Sequence, residues 1–161
     1  MLSNLKLVSG GQTGVDRAAL DFALKHGIPA GGWCPKGRLA EDGVIDEKYP
    51  LKETSSSSVD QRTEWNIRDS DGTLVITFED EEKKPTDGTV LTVELAKKYN
   101  KPLFVINLAK GNIDVNGFKS WIKKNQIKTL NVAGPRESFM PGCVYKRAYQ
   151  CLAILFAQYK E

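Results

Sequence analysis

Apolar runs of strand length alternate along the chain with segments whose apolar residues recur every three to four positions. The run 5–9, "LKLVS", reads as a buried strand. Val15, Ala18, Ala19, Phe22 and Ala23 then trace one helix face, closed by Gly27, with His26 in a bland C-terminal role beside it. "PAGGWCP" (29–35) is a weaker second strand. A long irregular stretch follows and carries one short strand near Leu51–Thr54, its serine run being a loop. "SVDQRTEWNIRDS" predicts a short helix capped by Ser58 or Asp60. "TLVITF" (73–78) is the clearest buried strand; "TDGTVLTVELAKKYN" is the next helix and "PLFVINL" (102–108) the next strand. Val115, Phe118 and Ile122 mark a further helix, and "KTLNVAG" (128–134) is the last strand. Val144, Ala148, Cys151, Leu152, Leu155, Phe156 and Tyr159 form the apolar stripe of a terminal helix. Strands that are apolar throughout, separated by helices, need cover on both faces. The expected fold is therefore a Rossmann-like three-layer α/β/α sandwich with a mostly parallel sheet.

Composition narrows the picture without changing it. At 161 residues the chain is expected to form one domain, 1–161, large enough to bury a core unaided. A net charge of +3, without strong basic clustering, gives no nucleic-acid surface. No apolar run reaches the roughly 18 residues that cross a bilayer, and "MLSNLKLVSGG" enters a strand at once, so no signal peptide is read. Cys34, Cys143 and Cys151 form no CxxC pair and leave an odd thiol, which points to a reducing cytoplasm. With His26 as the one histidine, no protein metal site is expected. Trp33, Trp65 and Trp121 are assigned to the core.

In a sheet of this kind, ligands sit beyond the carboxyl ends of the strands, so the loops there hold the candidate chemistry. The first is "SGGQTG", where Gly10, Gly11, Gln12, Thr13 and Gly14 lead into a helix. Helix starts attract anions and glycine permits close approach, so a phosphate on this backbone is one reading. On it, Gly14→Val would block the ligand. Ser9, Gly11 and Gly14 fall one residue short of the dinucleotide fingerprint, and Lys36 and Arg38 stand where that fingerprint wants an acid after the second strand. The two cations suit phosphate better. Asp16 is either a dipole-favoured first-turn acid or an acceptor for ring N–H groups; Arg17 is either a solvated arginine or a phosphate clamp. Thr86, Asp87, Gly88 and Thr89 form a second helix start that either caps itself or takes an anion. Gly134, Arg136 and Ser138 lie in a third, rigid loop, with Arg136 facing a phosphate or paired with Glu137. Arg62, Asn66 and Asp69 share a helix face at spacings of three and four and complete the set.

"SGGQTGVDRAALDFA", "GGWCPKGRLAEDG", "RTEWNIRDSDGTLV", "DGTVLT" and "LNVAGPRES" together resemble the molybdenum-cofactor carrier proteins, essentially from end to end. The resemblance implies a Rossmann-like domain related to the lysine-decarboxylase-like phosphoribohydrolases. It also implies a homo-oligomer that binds molybdenum cofactor, a phosphorylated pterin, shields it and hands it to molybdoenzymes. The related hydrolases carry P-G-G-x-G-T-x-x-E, whose last acid takes part in catalysis. Here Thr92 stands in its place and Glu94, two residues on, is expected to face elsewhere. A carrier is therefore the expected function. A nucleotide-processing phosphoribohydrolase and a nucleotide-derivative sensor are the alternatives.

Overall fold

The computed structural model describes residues 4–157. Five strands build a wholly parallel central sheet: β1 (Lys6–Val8), β2 (Ala30–Gly31), β7 (Gly72–Thr77), β8 (Leu103–Asn107) and β9 (Thr129–Ala133), in the order β2-β1-β9-β7-β8. The expected Rossmann-like α/β fold is the one observed. Helices α1 (Val15–Lys25), α4 (Val115–Lys124) and α5 (Val144–Leu155) pack on one face of the sheet, while α2 (Val59–Arg68) and α3 (Asp87–Lys98) cover the other. Tyr159 of the predicted terminal stripe lies outside the described residues.

Two departures fall around the second predicted strand and the irregular stretch after it. The run 29–35 divides at Gly32, whose φ of 127° breaks the extended run. Its first part, β2, stays in the main sheet; its second, β3 (Trp33–Cys34), pairs in parallel with β6 (Lys52–Glu53). Between them lies a hairpin absent from the sequence reading, β4 (Leu39–Ala40) and β5 (Gly43–Val44), joined by Glu41 and Asp42.

The strand order has a direct consequence for function. Counted along the chain, the central strands run 2-1-5-3-4; counted from β9 they run 3-2-1-4-5, the doubly wound order. The order reverses between β9 and β7, so a crevice is expected at the carboxyl ends of those two strands.

The two faces of the sheet also differ in chemistry. Leu74, Ile76, Leu130 and Val132 point into an apolar core with Phe22, Phe118, Leu152 and Phe156. Side chains alternate along a strand, so Thr73, Val75, Asn131 and Ala133 meet the α2–α3 side. Thr73 and Asn131 are buried there, as are Thr89 and Thr92 of α3. The tryptophans are half-buried: Trp121 packs on the main core, while Trp33 and Trp65 meet edge to face at 4.8 Å.

Candidate functional site

A crevice of about 460 Å³ opens at the predicted switch point. It is lined from the loops after β1, β7 and β9, and it continues between α2 and α3 onto the sheet face at Val75, Asn131 and Ala133. Its size is that of a small-molecule site. Of the candidate residues, Gly10, Gln12, Asp16, Arg62, Asn66, Asp87, Gly88, Thr89, Gly134 and Arg136 line it.

The helix starts differ in what they offer. At α1, the amide of Gln12 donates to Asp16 Oδ2 at 3.3 Å, that of Thr13 to Gln12 Oε1 at 3.0 Å, that of Val15 to the Pro135 carbonyl and that of Arg17 to the Gln12 carbonyl. These donors are satisfied within the protein. At α3, Thr86 caps the helix by accepting from the Thr89 amide at 3.2 Å. The amides of Asp87 and Gly88 have no partner among the described residues. They are the orphan donors of a helix start, at its positive end, and their residues line the crevice.

Arg62 reaches the crevice from α2. Its Nη1 donates to the Gly10 carbonyl at 3.2 Å and lies 3.5 Å from Asp16 Oδ2, and its Nε donates to the Val59 carbonyl at 3.3 Å. No protein acceptor among the described residues faces its Nη2. Burial pushes the Asp16 carboxyl above its usual range; against this, the Arg62 guanidinium and the Gln12 amide favour the ionised form. Asp16 thus serves the loop and the arginine before any ligand. Arg136 makes no ion pair or side-chain hydrogen bond among the described residues. Glu137, a candidate partner for it, instead accepts from the Tyr145 amide at 2.8 Å. Asp60, Asp87 and Glu94 also line the crevice, so its wall carries both signs of charge.

Gly11, Thr13, Gly14, Arg17, Lys36, Arg38, Asp69 and Ser138 are not brought to this crevice. Arg38 donates to the carbonyls of Ile45, Leu51, Asp46 and Tyr49, fastening the loop between β3 and β6. Arg17 donates to the Gly11 carbonyl and to Asp42. Lys36 sits in an exposed turn. Asp69 accepts from Trp33 Nε1 and from Arg68, outside the cleft. Asn66 lines the cleft, yet both ends of its amide bond the Trp33 backbone.

Gly14 and Gly10 answer to packing within the protein. A Cβ on Gly14 would stand 2.5 Å from the Pro135 carbonyl oxygen and 2.8 Å from the Glu137 nitrogen, and its φ is 79°. Gly14 therefore lets the loop after β9 close on the start of α1. The expectation that it admits a ligand is corrected on that point. A Cβ on Gly10 would occupy the space taken by the Arg62 side chain.

Thr13, Glu41 and Ser138 form a staple between three loops. Glu41 accepts from Thr13 Oγ1 and from the amide and hydroxyl of Ser138, and the Glu137 amide donates to Thr13 Oγ1 at 3.1 Å. Against partial desolvation, the bonds from Thr13 and Ser138 hold the Glu41 carboxyl below its usual range. A depressed folded pKa adds stability above the unfolded pKa, and that stability is lost as pH falls through the folded value. Glu41→Gln is thus expected to cost about 1 kcal/mol at neutral pH, an exposed network being worth little more. Thermal melts across acidic pH check this: the gap between variant and native chain should shrink as pH falls below the ordinary glutamate range and close once Glu41 is protonated in the folded protein.

At α3, one residue departs from the sequence reading and another finds its partner. Thr92 is buried and donates to the Gly88 carbonyl at 2.8 Å, so its hydroxyl caps the helix backbone. Glu94, expected to face elsewhere, lines the crevice. Asn131 was not singled out from the sequence. Its signal was a lone amide inside an otherwise apolar strand run, "TLNVA".

Fold and crevice define a Rossmann-like α/β protein with a switch-point cleft. Residues 7–156 match the circularly permutated YpsA SLOG family, and the chain belongs to that family. The permutation accounts for the strand order, which becomes the ordinary doubly wound one when counted from β9. A solved structure from Syntrophus aciditrophicus SB, named "Putative molybdenum carrier protein", is similar at 43% identity over 95% of each chain, with a TM-score of 0.85. A search of curated proteins finds no match. Among the described residues no helix is long and apolar enough to cross a membrane.

Proposed function

We propose that the protein binds and carries a phosphorylated pterin, molybdenum cofactor, and that the crevice is its seat. The observation that carries this reading is the convergence, on one crevice, of two unpaired amides at the start of α3 with the guanidinium groups of Arg62 and Arg136. Helix-start amides and arginine forks are the donors that hold phosphate. Of the two helix starts, that of α3 is the phosphate seat in this reading, because the donors named at α1 are occupied. In this reading the planar ring system lies between α2 and α3, over Val75 and Ala133 of the sheet. The name of the similar solved structure agrees with molybdenum as cargo. The metal would arrive on the pterin's own dithiolene, so the protein needs to supply only recognition and shelter. Delivery to molybdoenzymes, a homo-oligomeric state, a cytoplasmic location and a single-domain chain belong to the same proposal.

One observation favours the hydrolase alternative, namely the position of Glu94 on the crevice wall. Incubation with adenosine monophosphate distinguishes the two: a carrier releases no adenine, whereas a hydrolase releases base and ribose phosphate.

The reading is tested by anaerobic loading. The chain is mixed with cofactor freshly released from a molybdoenzyme, re-isolated, and analysed for molybdenum and pterin. One of each per chain is expected. Arg136→Ala, which leaves the protein's internal bonds intact, is expected to weaken retention about tenfold. Passage of the cofactor through the column without retention would overturn the proposal.

A further inference from the structure

Asn131 stands in the middle of β9, paired by backbone to β1 on one side and β7 on the other. It is 3% exposed. An amide in such a place costs stability unless its polar atoms are bonded. Its Nδ2 donates to Thr73 Oγ1 at 3.2 Å, and its Oδ1 accepts from no group among the described residues. No fully buried side-chain oxygen or nitrogen among these residues lacks a partner. The Oδ1 of Asn131 is therefore the one part of this side chain left open, and the space that Asn131 lines is the crevice. Around it on the sheet face are the apolar Val75 and Ala133, with Leu91 across from α3. Asn66, Thr89 and Thr92 stand on the same wall, and a mixed surface with one open carbonyl at its base suits a flat ring with an N–H on its edge. An alkyl phosphate, whose chain carries no donor, would leave that carbonyl unpaired.

We propose that Asn131 reads the ring of the ligand, accepting a hydrogen bond from an edge N–H, so that the crevice takes phosphorylated nitrogen heterocycles in preference to other phosphate esters. Thr73 is the positioning residue, since its hydroxyl accepts from Asn131 Nδ2 and holds the amide in place. The inference rests on the phosphate seat proposed above and adds to it the group that sets specificity.

Isothermal titration with two probes tests it: neopterin monophosphate, which has phosphate and a nitrogen ring, and ribose 5-phosphate, which has phosphate and hydroxyls but no nitrogen ring. The native chain is expected to hold the pterin probe more tightly. Asn131→Leu, which keeps the branched shape without the amide, should weaken the pterin probe about ten- to hundredfold and leave ribose 5-phosphate unchanged. Thr73→Val keeps the strand shape and should shift the same probe in the same direction by less, which preserves the test if Asn131→Leu fails to fold. Equal affinity of the native chain for both probes would overturn the inference, as would variants that weaken both probes alike. Binding of neither probe by the native chain would instead remove the phosphate seat itself, and the inference with it.

Discussion

Arg62→Leu is expected to remove most phosphate-ligand binding, by about thirtyfold or more, and to destabilise the protein at neutral pH by about 2 kcal/mol. The two effects have separate origins. Binding falls because Arg62 is held in place at the crevice by the Gly10 and Val59 carbonyls and still has donors left for a ligand. Stability falls because Asp16, 7% exposed, loses the guanidinium that offsets its burial. Its carboxyl, already raised by desolvation, rises further. A raised folded pKa means stability is retained at low pH and lost as pH rises through that value. The deficit of the variant should therefore grow from acid toward neutral pH. For a chain of this size, 2 kcal/mol is roughly 4–8 °C in Tm. The double variant Arg62→Leu with Asp16→Asn separates the causes: without the stranded carboxylate, melting should recover in large part while binding stays lost. Recovery of both would show that Arg62 acts only as a structural partner of Asp16.

Gly14→Ala should be as damaging through backbone alone. At a φ of 79° an alanine is strained by about 1–2 kcal/mol before any contact is considered. Its Cβ would also press on Pro135, Arg136 and Glu137, where the obstacles are backbone atoms that no rotamer change can move aside. A total near 3 kcal/mol lowers Tm by roughly 6–12 °C. The loop after β9 would shift with Arg136 on it, so binding should weaken even in the molecules that fold. Differential scanning calorimetry and ribose 5-phosphate titration check the two parts. A variant that melts like the native chain would mean the loop is free to retreat, contrary to the packing described here.

The sheet was legible in the sequence because its central strands are largely buried and read as mostly apolar runs between helical segments. "TLVITF" could hardly be anything else, and β7 is buried at every position. The hairpin of β4 and β5 was not legible, since two-residue strands leave no periodicity and Leu39 and Val44 are exposed. The loops that line the crevice were recognisable by their glycines, hydroxyls and arginines, but the use of those residues was not. A glycine that admits a ligand and one that admits another loop have the same sequence signature; at Gly14 it is the second. Arg38 and Arg136 are likewise both arginines in polar loops. The first is surrounded by four carbonyls brought together by the segment 45–51, and the second makes no side-chain hydrogen bond among the described residues, with only the Glu41 carboxylate acting on its charge. Asn131 was hidden for the opposite reason: in an apolar strand a single amide looks like an irregularity until the strand is placed beneath a cleft.

The central claim, that this crevice carries a molybdenum-bearing pterin phosphate, is tested most directly by identifying what the protein already holds. Freshly purified protein, kept anaerobic, is denatured and its released small molecules are analysed by mass spectrometry beside a metal assay. A pterin phosphate with molybdenum in stoichiometric amount is expected. A purine nucleotide without molybdenum would contradict it and transfer the crevice to nucleotide chemistry.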